Sequence, residues 1–183
     1  MSGASRIPMG WRSLEEFIRA LEMRGELLRV GHPIDVRFEA GCIADRLVKM
    51  GGPAVVFDQP RLEDGSISRF PLAMNLFGTR ERTNMALGVN EPSEIGEMMV
   101  GLMKPDIGGI LKRPWTGVKL LKQGISMAPK RVSRGKCQQV RIADPDVTKL
   151  PIPVTWPDDG GPFMTLPLVV TADPDSGAHN MGM

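Results

Sequence analysis

The sequence predicts an α+β fold in which a small N-terminal α/β domain precedes a part built from strands. Three observations lead to this prediction. Strand-like and helix-like apolar patterns alternate as far as about residue 103. From residue 107 the composition changes, and Gly, Pro and Lys become frequent. Beyond that stretch the helical period is lost, and the remaining segments indicate strands.

The first predicted element is a helix over residues 14–24. Ser13 can cap its N-terminus, and Glu16, three residues later, completes a capping-box pattern. Gly25 is a natural C-terminal stop. The apolar stripe of this helix consists of Leu14, Phe17, Ile18 and Leu21.

A second helix is predicted over residues 39–50, between strands at 26–30 and 54–57. The sequence Gly51-Gly52-Pro53 ends it. Its predicted buried side consists of Cys42, Ile43, Leu47 and Met50.

The polar, turn-rich residues 58–70 predict a loop, and residues 71–74 predict a short strand. Two helices are then expected, over residues 79–87 and 93–103. This alternation of strands and helices is typical of a small α/β unit.

A basic linker is predicted over residues 107–136. No Asp or Glu occurs between residues 107 and 143. Such a block attracts an anionic partner, such as nucleic acid, a lipid surface, a phosphate-bearing cofactor or an acidic protein surface. The competing interpretation is a solvated segment between domains. The cationic residues are Lys112, Arg113, Lys119, Lys122, Lys130, Arg131, Arg134, Lys136 and Arg141.

Strands are predicted after the linker at residues 137–142, 166–172 and 178–183. The turn sequence from Asp173 to Gly177 joins the last two into a hairpin. Because a two-stranded hairpin is marginally stable by itself, the second domain is expected to be unfinished at residue 183.

The composition excludes several classes of protein. With 42% hydrophobic and 24% charged residues, the chain is expected to be globular rather than disordered. Cys42 and Cys137 lie far apart, which favours reduced thiols in a cytoplasmic protein. The absence of Tyr and of any nucleic-acid-binding motif argues against a nucleic-acid partner.

The residues alone assemble no catalytic constellation. There is no P-loop, no zinc-binding spacing and no Ser-His-Asp arrangement. Asp158 and Asp159 are adjacent carboxylates, but in a Gly- and Pro-rich loop such residues are more often turn formers than an acid–base pair. A catalytic function can therefore be inferred only from a resemblance to a known protein family.

Several short motifs in order, over nearly the whole chain, resemble the UbiD family of prenylated-FMN-dependent decarboxylases. The strongest lie between residues 155 and 183, and the joint order and spacing of all the motifs are what is specific. They are Leu14-Glu15-Glu16-Phe17-Ile18, Arg24-Gly25-Glu26-Leu27, Ile43-Ala44-Asp45-Arg46, Gly51-Gly52-Pro53-Ala54, Asn75-Leu76-Phe77-Gly78-Thr79, Cys137-Gln138-Gln139, Asp146 through Pro153, Thr155-Trp156-Pro157, Asp159-Gly160-Gly161-Pro162-Phe163, Thr165-Leu166-Pro167 and Asn180-Met181-Gly182-Met183.

The resemblance implies an N-terminal α/β domain over residues 1–106, the basic linker over 107–136, and the first strands of a split β-barrel flavin-binding domain over 137–183. It implies prenylated FMN as cofactor, with Mn²⁺ or Mg²⁺ and K⁺ beside it. Asn180 corresponds to a metal ligand, and an amide oxygen suits such a hard cation. Thr165 and Met183 correspond to residues of the cofactor pocket. Without the family context, Asn180 would be interpreted as an ordinary hairpin residue.

Strand alternation places Asn180 and Gly182 on one face of the last strand and His179 on the other. His179 is therefore interpreted as structural. No catalytic residue of the family is expected within residues 1–183, since its Arg, its further metal ligands and its proton donors would follow later.

By resemblance, the complete enzyme removes CO₂ from an aromatic or α,β-unsaturated acid, with 4-hydroxy-3-polyprenylbenzoate of quinone biosynthesis as the expected substrate. Peripheral membrane association through this lipophilic substrate and a homo-oligomeric full-length protein are also expected. The chain alone is expected to be inactive. Two alternatives remain open: a non-catalytic subunit or remnant that complements a separate catalytic half, and a flavin-reductase-like module.

Overall fold

The computed structural model describes residues 10–103 and 132–182, together with 117, 118 and 125. Most of the predicted linker at 107–136 lies outside the described residues. Contacts divide the described chain into two compact units. One contains residues 10–17 and the described residues from 80 to 145, and the other contains residues 18–79 and 146–182. No described helix is both long and apolar enough to cross a lipid bilayer.

Helices and strands alternate through the first part of the chain, as predicted. In chain order the elements are α1 (Leu14–Met23), β1 (Leu27–Val30), β2 (Ile34–Asp35), α2 (Glu39–Lys49), β3 (Ala54–Phe57), β4 (Pro60–Arg61), β5 (Leu72–Met74), α3 (Arg80–Leu87), α4 (Ser93–Met103), β6 (Val169–Ala172) and β7 (His179–Gly182). Two 3₁₀ turns lie at Lys136–Gln138 and Val147–Lys149.

The ends of α1 confirm the capping residues that the sequence predicts. The Ser13 hydroxyl accepts a hydrogen bond from the Glu16 N–H at 3.2 Å. The Glu16 carboxylate reaches back to the Arg12 N–H at 2.9 Å, one residue before the expected partner. At the other end, Gly25 has φ +71°, and the next N–H returns to the Leu21 carbonyl at 2.9 Å. This pair of features is a Schellman ending.

A three-stranded sheet of order β1-β3-β5 organises the unit formed by residues 18–79 and 146–182. β1 pairs with β3 in parallel, and β5 pairs with β3 antiparallel. All four residues of β3 are buried, which fits a continuous apolar central strand. Ile34, Ala40, Val55 and Phe57 form the buried cluster at its centre.

The predicted buried face of α2 is wrong in part. The buried residues of this helix are Ala40, Gly41 and Ala44. Cys42 is exposed, and so is Met50, at 74%. Ile43 and Leu47, which the prediction also included, are partly buried against the core. The helix turns its small residues inward because another segment, described next, approaches its backbone closely.

That segment is residues 146–163, here called the strap. The N–H of Phe38 donates to the Val154 carbonyl at 2.8 Å, and the Val154 N–H donates to the Val36 carbonyl at 3.2 Å. The Val154 side chain is 2% exposed. Nearer the start of the strap, Lys149 Nζ lies 2.6 Å from Asp64 Oδ2. The strap thus contributes the Val154 side chain to the core of this unit.

Two short strands were not predicted. β2 and β4 pair in parallel, with Ile34 opposite Pro60 and Asp35 opposite Arg61. The predicted loop at 58–70 therefore contains β4. A two-residue strand is too short to show a sequence period, and its pairing depends on a residue far away in the chain.

The strand predicted over residues 137–142 is wrong. Lys136–Gln138 forms a 3₁₀ turn, and no residue from 139 to 142 belongs to a described strand. The N–H of Gly135 donates to Oε1 of Gln138 at 2.8 Å, which favours the turn. A short segment pairs as a strand only when a partner edge is available, and here the described residues 138–142 are exposed.

The hairpin predicted near the C-terminus is confirmed. β6 and β7 pair antiparallel, with Thr171 opposite Asn180. In the turn, Asp173 Oδ1 accepts hydrogen bonds from the N–H groups of Asp175 and Ser176 at 3.1 and 2.6 Å. Gly177, with φ +68°, closes it. Every residue of both strands is exposed.

Candidate functional site

The candidate metal ligand, Asn180, lies in the middle of β7 on an exposed hairpin face. Thr171 stands directly opposite it on β6. Residues directly opposite in an antiparallel pair share a face of the sheet, so the side chains of Asn180, with its amide oxygen, and Thr171, with its hydroxyl oxygen, are neighbours. Both belong to the oxygen class that hard cations prefer.

Gly182 lies on the same face and leaves it open. A Cβ atom built on Gly182 would have no other atom within 4 Å. Its partner on β6 is Val169. This open surface beside Asn180 and Thr171 leaves space for a phosphate–metal group, but it does not enclose one.

His179 lies on the opposite face, paired with Ala172. Among the described residues, no group of three or more His, Cys, Asp and Glu side chains could hold a metal ion. Mg²⁺ and related cations take about six oxygen ligands. The side-chain oxygens of Asn180 and Thr171 are therefore donors of the type that a hard cation prefers, but they supply only part of its coordination shell.

Thr165 lies in an exposed bend before β6. Leu166, which follows it, has φ +57°, a backbone conformation that costs a bulky residue free energy. The structure therefore places Thr165 at a kink that directs the chain into the hairpin. Met183, the other candidate cofactor contact, lies outside the described residues.

The turn of the hairpin carries its own local electrostatics. The backbone N–H of Ser176 holds the pKa of the Asp173 carboxyl below its usual value, and the Ser176 hydroxyl adds to the effect. This carboxylate is occupied in stabilising the turn. Its role is to fix the register that sets Asn180 opposite Thr171.

Asp158 and Asp159 do not form an acid–base pair. Asp159 Oδ2 accepts hydrogen bonds from the backbone N–H groups of Thr155 at 3.1 Å and Trp156 at 2.9 Å. Asp158 is exposed. Asp159 is a turn former, in agreement with the interpretation from the sequence.

One contact of the site's supporting structure was missed by sequence reasoning. A Cβ atom built on Gly41 would lie 3.1 Å from Thr155 Cα, so the strap and α2 meet at a glycine. The signal available in the sequence was a glycine inside a helical pattern, which often marks close packing.

Two family descriptions match separate parts of the chain. Residues 18–99 match the N-terminal domain of 3-octaprenyl-4-hydroxybenzoate carboxy-lyase, and residues 130–183 match the Rift-related domain of the same family. The chain belongs to the UbiD family. The resemblance that the sequence motifs indicated is therefore confirmed.

Solved structures of the UbiD class share this fold. An evolved dimeric form of the UbiD-class enzyme HmfF from Pelotomaculum thermopropionicum, in complex with prFMN, matches with a TM-score of 0.64 and 23% identity. The match covers 93% of this chain and 34% of that one. HmfF from the same organism in complex with FMN matches with a TM-score of 0.56 and 20% identity, over 92% of this chain and 32% of that one.

The chain thus spans about a third of the length of the UbiD-class structures that it matches. The likeness confirms the predicted α+β fold. The first family match ends at residue 99, and the second begins at residue 130. Residues 100–129, between the two matches, include most of the predicted linker.

Proposed function

We propose that the chain is the N-terminal portion of a prenylated-FMN-dependent decarboxylase that removes CO₂ from an aromatic or α,β-unsaturated carboxylic acid. The observation that carries this proposal is the match of residues 18–99 and 130–183 to the two carboxy-lyase domains. Prenylated FMN, when bound, would supply the electron sink for loss of CO₂.

The residues of this chain would serve the cofactor's phosphate end. Asn180 would donate an amide oxygen to a divalent cation, Mn²⁺ or Mg²⁺, with K⁺ nearby, and Thr171 would stand beside it. Thr165 and Met183 would line the flavin cavity. The exposed hairpin face at Gly182 supports close approach of such a group, because no atom lies within 4 Å of a Cβ built there.

4-Hydroxy-3-polyprenylbenzoate is the proposed substrate, and it fits the carboxy-lyase named in both family matches. Its polyprenyl chain would bring a cytoplasmic enzyme to a membrane surface, and the full-length protein would form a homo-oligomer. A decarboxylation assay that compares this acid with a simple cinnamic acid tests the substrate class.

We propose further that residues 1–183 are inactive by themselves, because the family's Arg, its further metal ligands and its proton donors are not expected within this chain. The purified chain, supplied with prenylated FMN and Mn²⁺, is expected to release no CO₂ from either acid. A polypeptide that continues the reading frame beyond residue 183 is expected to release it. Turnover by the 183-residue chain would refute its inactivity, and a longer polypeptide that decarboxylates no acid of this class would refute the decarboxylase proposal.

Asn180 provides the residue-level test in the active polypeptide. Asn180→Ala is expected to weaken Mn²⁺-dependent retention of the cofactor, because it removes an oxygen donor. His179→Ala is the matched control on the opposite face of β7. Equal cofactor retention by the two variants, measured by flavin absorbance after gel filtration, would contradict the metal-ligand role.

A second candidate is a non-catalytic subunit that completes a separately encoded catalytic half. The observation that favours it is the hairpin β6–β7, whose residues are all exposed. Co-purification with a second UbiD-like polypeptide, and CO₂ release only by the mixture, would support this candidate.

A further inference from the structure

Asp159 lies where the strap folds back on itself. Its Oδ2 atom accepts hydrogen bonds from two consecutive backbone N–H groups, those of Thr155 and Trp156. The N–H of Phe163 donates to the carbonyl of Pro153 at 3.1 Å. Residues 153–163 therefore form a loop that is closed at its base, with one carboxylate holding its first turn.

The base of this loop is fixed to the α/β core. Val154 exchanges backbone hydrogen bonds with Val36 and Phe38, at 3.2 and 2.8 Å. Thr155 packs directly against Gly41 of α2, where a Cβ atom would lie within 3.1 Å of its backbone. The loop consequently has a defined starting point and direction relative to the sheet.

The other end of the loop leads to the candidate cofactor contact. Thr165 follows Phe163 by two residues, and two residues of extended chain reach at most about 7 Å. The hydrogen bond at Phe163 therefore restricts where Thr165 can lie. The bend at Leu166, with φ +57°, then sends the chain into β6.

We propose that Asp159 is a positioning residue for the cofactor-facing segment that begins at Thr165. This inference rests on the proposed function for the role of Thr165, and it adds how that segment is placed. Asp159 acts through hydrogen-bond acceptance toward the backbone of Thr155 and Trp156.

Three variants separate these roles. Asp159→Ala removes the acceptor, whereas Asp159→Asn retains an amide oxygen with two lone pairs for the same two N–H groups. Asp158→Ala removes the exposed neighbouring carboxylate and serves as the matched control.

The first measurement is amide hydrogen exchange in the 183-residue chain, which needs no cofactor. In Asp159→Ala the exchange of the Thr155 and Trp156 amides is expected to accelerate about tenfold or more, because hydrogen bonds to a carboxylate are among the stronger ones. Asp159→Asn and Asp158→Ala are expected to exchange like the wild type. Unchanged exchange in Asp159→Ala would overturn the inference.

The second measurement is the affinity for prenylated FMN, and the rate of CO₂ release, in the active polypeptide. Asp159→Ala is expected to weaken flavin binding, and Asp159→Asn is expected to restore it together with the rate. Loss of turnover in Asp159→Asn with wild-type exchange would overturn the inference, because it would indicate a role for the charge.

The failure of this inference and that of the proposed function are distinguishable. Normal flavin affinity in Asp159→Ala, together with fast exchange at Thr155 and Trp156, would overturn the positioning role alone. A wild-type polypeptide that binds no flavin and releases no CO₂ would overturn the proposed function, and the positioning role with it.

Discussion

Replacing Gly41 by alanine measures how closely the strap packs against α2. The added Cβ would lie 3.1 Å from both Cα and Cγ2 of Thr155 and 3.3 Å from its carbonyl oxygen. Two of these three atoms belong to the backbone and cannot rotate away. The strap or the helix must therefore shift by a few tenths of an ångström.

Two opposing contributions set the size of the effect. Alanine favours a helix over glycine by about 1 kcal/mol. Overpacking a filled site costs about 1–3 kcal/mol. Gly41→Ala is therefore expected to lower the free energy of unfolding by about 0–2 kcal/mol.

A matched control separates the two contributions. Gly96 lies within α4, and a Cβ there would have no atom within 4 Å. Gly96→Ala is expected to stabilise its helix by up to about 1 kcal/mol, since it adds helix propensity without a clash. The difference between the two variants then isolates the steric cost of about 1–3 kcal/mol.

Urea unfolding followed by far-ultraviolet circular dichroism measures both variants. Hydrogen exchange over residues 153–163 reports whether the strap has loosened in Gly41→Ala. If Gly41→Ala stabilises the protein as much as Gly96→Ala, the strap does not press on α2 in solution. That result would refute the packing argument and remove one of the two contacts that fix the base of the loop before Thr165.

Two further predictions concern the same strap. Val154→Ala is expected to lower the free energy of unfolding by about 1.5–3 kcal/mol, because two methyl groups leave a filled core. Val170, which is 66% exposed, provides the control, and Val170→Ala should change the free energy of unfolding by less than about 0.5 kcal/mol. Equal urea midpoints for the two variants would contradict the burial of Val154. The hydrogen bond from Lys149 holds the pKa of the Asp64 carboxyl well below its usual value, with Ser66 contributing. The stability that this group contributes is therefore present above its unfolded-state pKa of about 4 and is lost as the pH falls through the lower folded-state value. In Asp64→Asn the urea midpoint is expected to decrease less with falling pH over this acid range than in the wild type. An equal decrease in the two proteins would contradict a stabilising ion pair between Asp64 and Lys149.

Local signals predicted the elements that depend on neighbouring residues. The cap at Ser13, the stop at Gly25 and the turn at Asp173 all appear where the sequence placed them. The central strand Ala54–Phe57 was also predicted, because a short, continuous apolar run is typical of a strand buried on both faces.

Features that depend on distant partners could not be predicted. The pairing of Ile34 with Pro60 has no sequence period to reveal it. The inward face of α2 is decided by Thr155, which is remote in sequence from Gly41. The segment at residues 137–142 was predicted as a strand, but a local sequence pattern does not indicate whether a partner edge is available.

The candidate site depends on both kinds of information. The hairpin register that pairs Asn180 with Thr171 follows from the turn sequence that precedes it. The family resemblance rested on joint motifs and is confirmed by the domain matches. The roles of Asn180, Thr165 and Met183 remain predictions, because a role requires a bound group and not only a position.

The hydrogen bonds at Val154 have a consequence for synthesis on the ribosome. Translation proceeds at about 5–20 residues per second, so the sheet β1-β3-β5 emerges several seconds before the strap that completes its core. During that interval the Phe38 N–H, the Val36 carbonyl and the small-residue face around Gly41 have no strap to cover them. Because contacts between distant parts of a chain form slowly, the nascent chain exposes a surface that a chaperone can bind before folding is complete.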